Sequence, residues 1–401
     1  MELKPGDPES VGMLPERADY VRDLCAGWVK SGHTTALSVF VARRGVIVLE
    51  EAFGQLHPGD DAPPLDTTAI WPAFSLSKPI TATLVMQLAE DGLIGLNRPA
   101  KDYLPELCAE HTDEILVHHL LTHTTGYVWH EEPPMVGHIL HKIADGFEPP
   151  TACPETQHPL LHRLLSALWD VPLVCRPGEQ MIYSNHNYEL LGELVRRVSG
   201  RSIDDFARER LFRPLGMDDS FYVLPKRFSS RIVRRPPDAP FAAPQSPFME
   251  GIESRQMQET PYSGAGVWST VRDIAVFGQT FLDGGHYRDA RVLSPAAVAA
   301  MTRDQIPGVS ANFFGRLQTP ASWGYGWAVE SPAKWRYYHG SLQSLGSFNH
   351  SGGSGFKLVV DPQRELVMVY VEACLHSNID NGEIYWNCDL FENAVTAALE
   401  D

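Results

Sequence analysis

The sequence predicts a mixed α/β fold of the α+β type, in which an antiparallel β-sheet is built from both ends of the chain and flanked by helices. Two observations predict the sheet, namely strand-like segments at 35–54 and again at 355–373. In contrast, the stretch 97–261 alternates helical segments with loops rich in proline, glycine and histidine, and shows no convincing strand pattern. We therefore expect an all-helical domain inserted into a sheet domain.

The N-terminal part of the sheet domain is predicted from consecutive patterns. Residues 15–31 space their apolar positions like an amphipathic helix. The segments 35–43 and 45–54 then predict two strands, which are joined by a turn at Arg43-Arg44-Gly45. A helix is expected after Ser75, running to about Gly92. Because proline fits only the first turn of a helix, Pro79 requires that this helix starts at about Leu76 or later, or opens with a tighter turn.

The C-terminal part is predicted in the same way. The segments 355–361 and 365–373 predict two strands that meet at Pro362-Gln363-Arg364, and 383–400 predicts a final helix. The proline-rich run 234–248 predicts a surface loop. We place the sheet domain at 1–96 and 262–401, and the helical domain at 97–261.

Composition excludes several classes of function. The chain has 401 residues and a formal net charge of -17 at pH 7, which disfavours nucleic acid and anionic membrane surfaces as partners. No apolar run is long enough to span a membrane, and the N-terminus lacks the apolar region of a secretory signal. The six cysteines are scattered, which favours buried thiols over disulfides or a metal site. We expect a cytoplasmic protein.

The pattern S-x-x-K occurs three times, and only its context separates the three. Ser354 and Lys357 enter a strand, where residues three apart point to opposite faces. Ser331 and Lys334 have no helical run behind them. Ser75 alone opens a strong helix, in which residues i and i+3 share a face, so Lys78 can reach its hydroxyl. The alternative is a helix N-cap with a solvated lysine.

Two further segments carry candidate site residues. Tyr183-Ser184-Asn185 lies between a short extended piece and a clear helix, so Tyr183 could carry a proton and Asn185 could bind substrate, although Ser184 or Asn185 also suits an N-cap. His350-Ser351-Gly352-Gly353 precedes a strand, where glycines allow a close approach of the backbone. The alternative there is a glycine-rich connection with an incidental histidine.

The order of these motifs resembles the serine β-lactamase/penicillin-binding-protein superfamily. Specifically, it resembles the class C β-lactamase-like branch, which also holds D-alanyl-D-alanine carboxypeptidases and family VIII carboxylesterases. Phrases shared with that branch lie at 118–127, 177–185, 210–220, 264–285 and 323–327. The resemblance implies the fold predicted above, with a site in the cleft between the sheet and the helical domain.

The resemblance also implies roles for individual residues. Ser75 is the acyl-accepting nucleophile, Lys78 shares its proton, and Tyr183 is the general base that returns the proton to the leaving group. Which of Tyr183 and Lys78 is the primary base stays open. Asn185 would hold the substrate or orient Lys78. Backbone N–H groups of Ser75 and Gly353 would form an oxyanion hole beside Gly352 and His350.

His350 stands where β-lactamases and transpeptidases of the superfamily usually carry lysine. A neutral histidine removes a cation that would attract a substrate carboxylate. We therefore predict a serine hydrolase that acts through an acyl-enzyme, most simply a carboxylesterase on small to medium acyl esters, without a cofactor. A β-lactamase, D-amino-acid peptidase, amidase or acyltransferase remains the alternative. No metal site is expected at the histidines of residues 118–123, and the oligomeric state is left open.

Overall fold

The computed structural model of the protein describes residues 1–59, 61–129, 134–237, 239, 250–313, 316–318, 320–332, 340–373, 376–378, 383–385 and 387–400. Side chains are described for most of these. The mixed α/β architecture expected from the sequence is present, with a large sheet covered by helices.

The long strands of the main sheet fall at both ends of the chain, as the sequence predicts, and shorter strands lie between them. Within the described residues the strands are β1 (Lys4–Pro5), β2 (Ala36–Arg43), β3 (Val46–Gly54), β4 (Trp71–Pro72), β5 (Gln180–Ile182), β6 (Trp268–Ser269), β7 (His286–Tyr287), β8 (Ala290–Arg291), β9 (Ser310–Phe313), β10 (Arg316–Gln318), β11 (Ala328–Val329), β12 (Phe348–Gly352), β13 (Phe356–Asp361), β14 (Leu366–Glu372), β15 (His376–Asn378) and β16 (Glu383–Tyr385).

Helices dominate the middle of the chain, and helices from its two end regions cover the faces of the sheet. The described α-helices are α1 (Pro15–Lys30), α2 (Ser77–Glu90), α3 (Val117–Leu121), α4 (Met135–Ala144), α5 (Pro159–Leu168), α6 (Asn185–Ser199), α7 (Ile203–Ala207), α8 (Arg213–Leu215), α9 (Arg255–Glu259), α10 (Val271–Leu282), α11 (Pro295–Met301) and α12 (Cys388–Thr396). A π-helical turn, Arg208–Phe212, joins α7 to α8.

The main sheet has the strand order β1-β3-β2-β14-β13-β12-β11. Its strands pair antiparallel, except that β1 runs parallel to β3 at one edge. Since β2 pairs directly with β14, the two ends of the chain meet at the centre of the sheet. The prediction of a sheet built from both termini is therefore confirmed.

Both faces of the central strands are buried, which follows from their residue pattern. Successive side chains of a strand point to opposite faces. On β14, Leu366, Met368 and Tyr370 pack with α1 and α12, whereas Val367 and Val369 pack in the larger core with α2 and α10. Burying a large aliphatic side chain contributes about 1.5–3 kcal/mol. The sheet is thus a rigid support for whatever its edge carries.

Two expectations about secondary structure were wrong. The block 97–261 contains a strand after all, because β5 pairs with β9 in a small separate sheet. The last segment, expected to be helical throughout, begins with β16, which pairs with β15 before α12 starts. Glu383–Tyr385 includes an isoleucine and a tyrosine, which favour strands.

Other expectations are less fully tested. Most of the proline-rich run 234–248 lies outside the described residues, and the division into domains at 96/97 and 261/262 stays a prediction. Cys25 and Cys388 are buried free thiols, but Cys108 and Cys153 are exposed, so the expectation of buried cysteines holds only in part. In the part of the chain that the structure describes, no helix combines the length and apolarity that a membrane crossing requires.

Candidate active site

Ser75 lies in a tight turn that leads directly into α2. Phe74–Leu76 form a 3-10 turn, and the α-helix begins at Ser77. This is the tighter opening that Pro79 allows. Phe74 adopts a positive φ of 50°, which costs a bulky residue about 1–2 kcal/mol. The surroundings must therefore enforce the conformation of Phe74, and the turn places the partly exposed Ser75 directly before α2.

Lys78 is buried, and its ammonium nitrogen contacts three oxygen atoms. Lys78 Nζ lies 2.9 Å from Ser75 Oγ, 2.7 Å from Asn185 Oδ1 and 2.9 Å from the carbonyl oxygen of Gly264. Burial lowers the pKa of Lys78 to about 7, from its ordinary value of 10.5, although the charge of Glu189 opposes this shift. A free amine at Lys78 is therefore available near neutral pH.

The geometry of these contacts directs the amine toward the serine. The oxygens of Asn185 and Gly264 are acceptors, so each takes one N–H of Lys78. A neutral amine has two N–H groups and one lone pair. With both N–H groups engaged, the lone pair faces the remaining partner, the hydroxyl of Ser75. In this geometry the neutral amine of Lys78 can accept the proton of the Ser75 hydroxyl.

Helix α6 brings the second predicted motif to the same place. Ser184 occupies the N-cap position, but its hydroxyl donates to the carbonyl of Val128 and does not cap the helix. Asn185 is the first helical residue, and its amide oxygen binds Lys78. The N-cap alternative thus accounts for the position of Ser184 and not for the contact of Asn185.

Tyr183 lies directly beside the lysine. Lys78 Nζ is 4.9 Å from the centre of the Tyr183 ring, and the ring is 5% exposed. Strand β5 places it there, because Ile182 N donates to the carbonyl of His123 while Ser184 N donates to His123 Nδ1. The His123 ring packs on Tyr183 with 4.4 Å between ring centres.

The third predicted motif is the end of β12, which lies against the turn that carries Ser75. The approach is close enough that a Cβ atom on Gly352 would stand 2.1 Å from the carbonyl oxygen of Ala73. Only glycine fits at that position. Gly353 follows at once, in a turn, and is partly exposed.

His350 is buried on the same strand, and its ring lies 6.4 Å from Tyr183 and 5.6 Å from Trp323 between centres. Its Nδ1 contacts the carbonyl of Ser351, and its Nε2 is buried without a hydrogen-bond partner among the described residues. Burial, together with the charge of Lys78, lowers the pKa of His350 to about 3. The ring is therefore neutral at physiological pH.

The structure also includes residues that the sequence did not single out. The carbonyl oxygen of Gly264 is one of the three oxygens that contact Lys78. The backbone N–H of Gly264 in turn donates to the Glu189 carboxylate. His123 and Trp129 pack against the Tyr183 ring. A backbone carbonyl leaves no sequence signal, but the spacing of Asn185 and Glu189 by one helical turn could have indicated a shared face.

The remaining predicted motifs lie elsewhere. Lys357 is buried in an ion pair with Glu392, and Lys334 lies outside the described residues. His118 contacts the Tyr325 hydroxyl, whereas His119 accepts from the backbone of Leu116. Among the residues that the structure describes, no group of three or more histidine, cysteine or acidic side chains is placed to hold a metal ion.

Comparison with known proteins identifies the family. The sequence model of the beta-lactamase family matches residues 21–385. The Mycobacterium tuberculosis protein Rv1367c is 27% identical over 388 residues, which cover 90% of each chain.

Two solved structures share the fold. A penicillin-binding protein homologue from Caulobacter crescentus has a TM-score of 0.77 at 20% identity, covering 97% of this chain and 99% of its own. A family VIII carboxylesterase has a TM-score of 0.73 at 22% identity, covering 96% of this chain and 98% of its own.

Proposed function

The chain belongs to the beta-lactamase family of serine hydrolases, and we propose that within it the protein is a carboxylesterase that cleaves small to medium, uncharged acyl esters. Ser75 attacks the ester carbonyl and forms an acyl-enzyme, which water then hydrolyses. The observation that carries the choice of ester is the neutral, buried ring of His350. Members of the superfamily that act on carboxylate-bearing substrates usually carry a lysine there.

In the proposed first step, the proton of the Ser75 hydroxyl passes to the neutral amine of Lys78 as Oγ bonds to the carbonyl carbon. The 2.9 Å distance between Nζ and Oγ supports this transfer. The tetrahedral intermediate carries an oxyanion, which the N–H groups of Ser75 and Gly353 would stabilise. One such donor is typically worth about 3–4 kcal/mol of the barrier.

In the second step, the carbon–oxygen bond to the alcohol breaks, and the departing alkoxide takes up a proton. We assign this proton to Lys78, relayed by the hydroxyl of Tyr183, since the Tyr183 ring lies beside the lysine nitrogen. Asn185 keeps its amide NH2 for the substrate, because its oxygen is occupied by Lys78. Water repeats the sequence on the acyl-enzyme and releases the acid.

An aromatic wall beside the site supports an apolar substrate group. Trp129 is partly exposed and stacks on Tyr183 at 5.9 Å between ring centres, while Trp323 lies edge-on at 6.1 Å. Trp323, from the last third of the chain, thus contacts the site through Tyr183. A cytoplasmic location and the absence of nucleic-acid or membrane partners stay predictions.

The test combines labelling with a substrate panel. Intact mass is measured after reaction with a fluorophosphonate probe, for the wild type and Ser75→Ala, and turnover is measured on neutral p-nitrophenyl esters, a carboxylate-bearing ester, a chromogenic cephalosporin and a D-alanyl-D-alanine peptide. We expect one adduct on the wild type, none on the variant, and fastest turnover of neutral esters. Faster turnover of the cephalosporin or the peptide would overturn the esterase assignment in favour of a β-lactamase or peptidase. An acyl product that appears only with an added alcohol or amine would indicate an acyltransferase.

A further inference from the structure

Glu189 is a buried carboxylate one helical turn beyond Asn185 on α6. Its two oxygens accept backbone hydrogen bonds from the segment before β6: Gly264 N lies 3.0 Å from Oε1, and Ser263 N lies 3.1 Å from Oε2. The carbonyl of the same Gly264 accepts from Lys78. One residue, Gly264, therefore links the carboxylate to the lysine of the site.

The segment Ser263–Gly264 is also held from two other sides. Thr81 Oγ1 donates to the Ser263 carbonyl at 2.6 Å. Gly192, on the turn of α6 after Glu189, leaves room for the Ser263 side chain, since a Cβ atom there would stand 1.7 Å from Ser263 Oγ. The position of the Gly264 carbonyl is thus set by contacts with α2 and α6, and the Glu189 carboxyl group accepts two of these hydrogen bonds.

Glu189 and Lys78 also influence each other electrostatically. The negative charge of Glu189 opposes the lowering of the Lys78 pKa, and the positive charge of Lys78 opposes the raising of the Glu189 pKa, which burial brings to about 7. Other titratable groups that act on this pair, or on which it acts, include His123, Tyr222, Tyr262 and His350. The rings of Tyr183 and Tyr188 also face Lys78 Nζ, at 4.9 and 5.7 Å from their centres. The far side of Glu189 lines a cavity of about 280 Å³, which it shares with Glu155, Glu193, Arg196 and Asp204.

We propose that Glu189 is a positioning residue, which holds the Gly264 carbonyl in place and thereby directs the Lys78 amine toward Ser75. The inference rests on the role proposed above for Lys78. Under this proposal the reaction also depends on Glu189, although its carboxylate touches neither the substrate nor the nucleophile.

The principal test is Glu189→Gln. A glutamine can accept one of the two backbone N–H groups, but its own NH2 faces the other, so one hydrogen bond and the negative charge are both lost. We expect kcat for a neutral p-nitrophenyl ester to fall on the order of 10- to 100-fold, with KM within about twofold. The acid limb of kcat/KM should also move to lower pH, because Lys78 loses the carboxylate that favours its protonated form.

Glu193→Gln is the matched control. Glu193 is another buried glutamate, one turn further along α6, whose carboxylate pairs with Arg196 at 2.7 Å and Arg197 at 2.6 Å. Its carboxylate accepts hydrogen bonds from Gln157, Arg196 and Arg197 rather than from Ser263 or Gly264. We therefore expect kcat within about twofold of the wild type and an unmoved acid limb. Equal losses in the two variants, with no shift of the limb in either, would mean that Glu189 acts only on the stability of the helix and would overturn the proposal.

A second variant, Gly192→Ala, tests the position of the Ser263–Gly264 segment if Glu189→Gln does not fold. Gly192→Ala suits a helix interior, yet its Cβ displaces Ser263 while the charge of Glu189 stays. We expect a lower kcat with an unmoved acid limb, and an unchanged kcat would contradict the proposal.

Wild-type protein that takes no fluorophosphonate on Ser75 would overturn the proposed function and this inference together. Wild-type labelling, with kcat and acid limb unchanged in Glu189→Gln, would overturn the inference alone.

Discussion

Lys78 and Lys357 are both buried, and each follows a serine by three positions, but their nearest partners differ. Lys78 Nζ contacts uncharged oxygen atoms of Ser75, Asn185 and Gly264. Lys357 lies 2.6 Å from the Glu392 carboxylate, which is buried to the same extent. A buried cation beside a carboxylate is neutralised by it, whereas one among dipoles is pushed toward its neutral form.

Local structure explains why the same S-x-x-K pattern places Lys78 and Lys357 beside different partners. Ser75 lies in a 3-10 turn before a helix, so the lysine three positions later lies on the same side and reaches back to the hydroxyl. Lys357 lies on β13, where the side chains of neighbouring positions alternate between faces, and it points to α12. Lys357 is thus in direct contact with a carboxylate, whereas Lys78 is in direct contact with a hydroxyl, as its proposed role requires.

The largest expected effect separates the two serines. Ser75→Ala should reduce ester turnover on the order of 10⁴-fold or more, because the proposed nucleophile is removed. Ser354→Ala, the matched serine, should retain turnover within about threefold, since its buried hydroxyl has no hydrogen-bond partner among the described residues. Steady-state kinetics on one neutral ester checks both. Similar losses of turnover in the two variants would show that Ser75 and Ser354 do not differ in their importance for the reaction.

The second prediction separates the two lysines. Lys78→Met should lower turnover by about 10²- to 10⁴-fold, since the proposed proton acceptor is lost. Lys357→Met should lower the free energy of unfolding by about 3–5 kcal/mol, because Glu392 is left as a buried, unpaired charge, while the protein that remains folded still reacts with the probe.

Denaturant unfolding and probe labelling of the same samples distinguish these outcomes. A double variant, Lys357→Met with Glu392→Leu, should recover part of the lost stability, since both charges are then absent. A Lys357→Met protein that is as stable as the wild type would show that the ion pair does not stabilise the fold.

The third prediction concerns pH. Burial lowers the pKa of Lys78 to about 7, so the amine is protonated below this pH and free above it. If the free amine accepts the serine proton, kcat/KM for a neutral ester should fall about tenfold for each unit of pH below this value. A pH–rate profile checks it, and an acid limb near 4 would exclude Lys78 as the titrating group.

The smallest expected effect is that of introducing a lysine at position 350. His350→Lys places a cation where the wild type holds a neutral ring. The ratio of kcat/KM for a carboxylate-bearing ester to that for its neutral analogue should rise by about fivefold or more, which corresponds to about 1 kcal/mol. The acid limb should also move to lower pH, since a second cation beside Lys78 disfavours its protonation. An unchanged ratio would show that this position does not face the substrate.

Sequence patterns predicted the central strands well, because β2 and β14 are long and apolar enough to be recognised. They missed β5, whose three residues are too short for an alternation and whose partner β9 lies far along the chain. The three site motifs were predicted, and the structure brings Ser75, Lys78, Tyr183 and Asn185 together. Glu189 was missed, because a glutamate in an amphipathic helix usually faces solvent and its burial depends on a distant segment.

The three oxygens that hold Lys78 are separated from it by 3, 107 and 186 residues along the chain. Contacts between distant residues close large loops and form only when much of the chain is already ordered. The amine is thus correctly held only after the helices around it have docked. In a refolding experiment, recovery of probe labelling should therefore lag behind recovery of helical circular dichroism, so that the reactive serine reports the completion of folding.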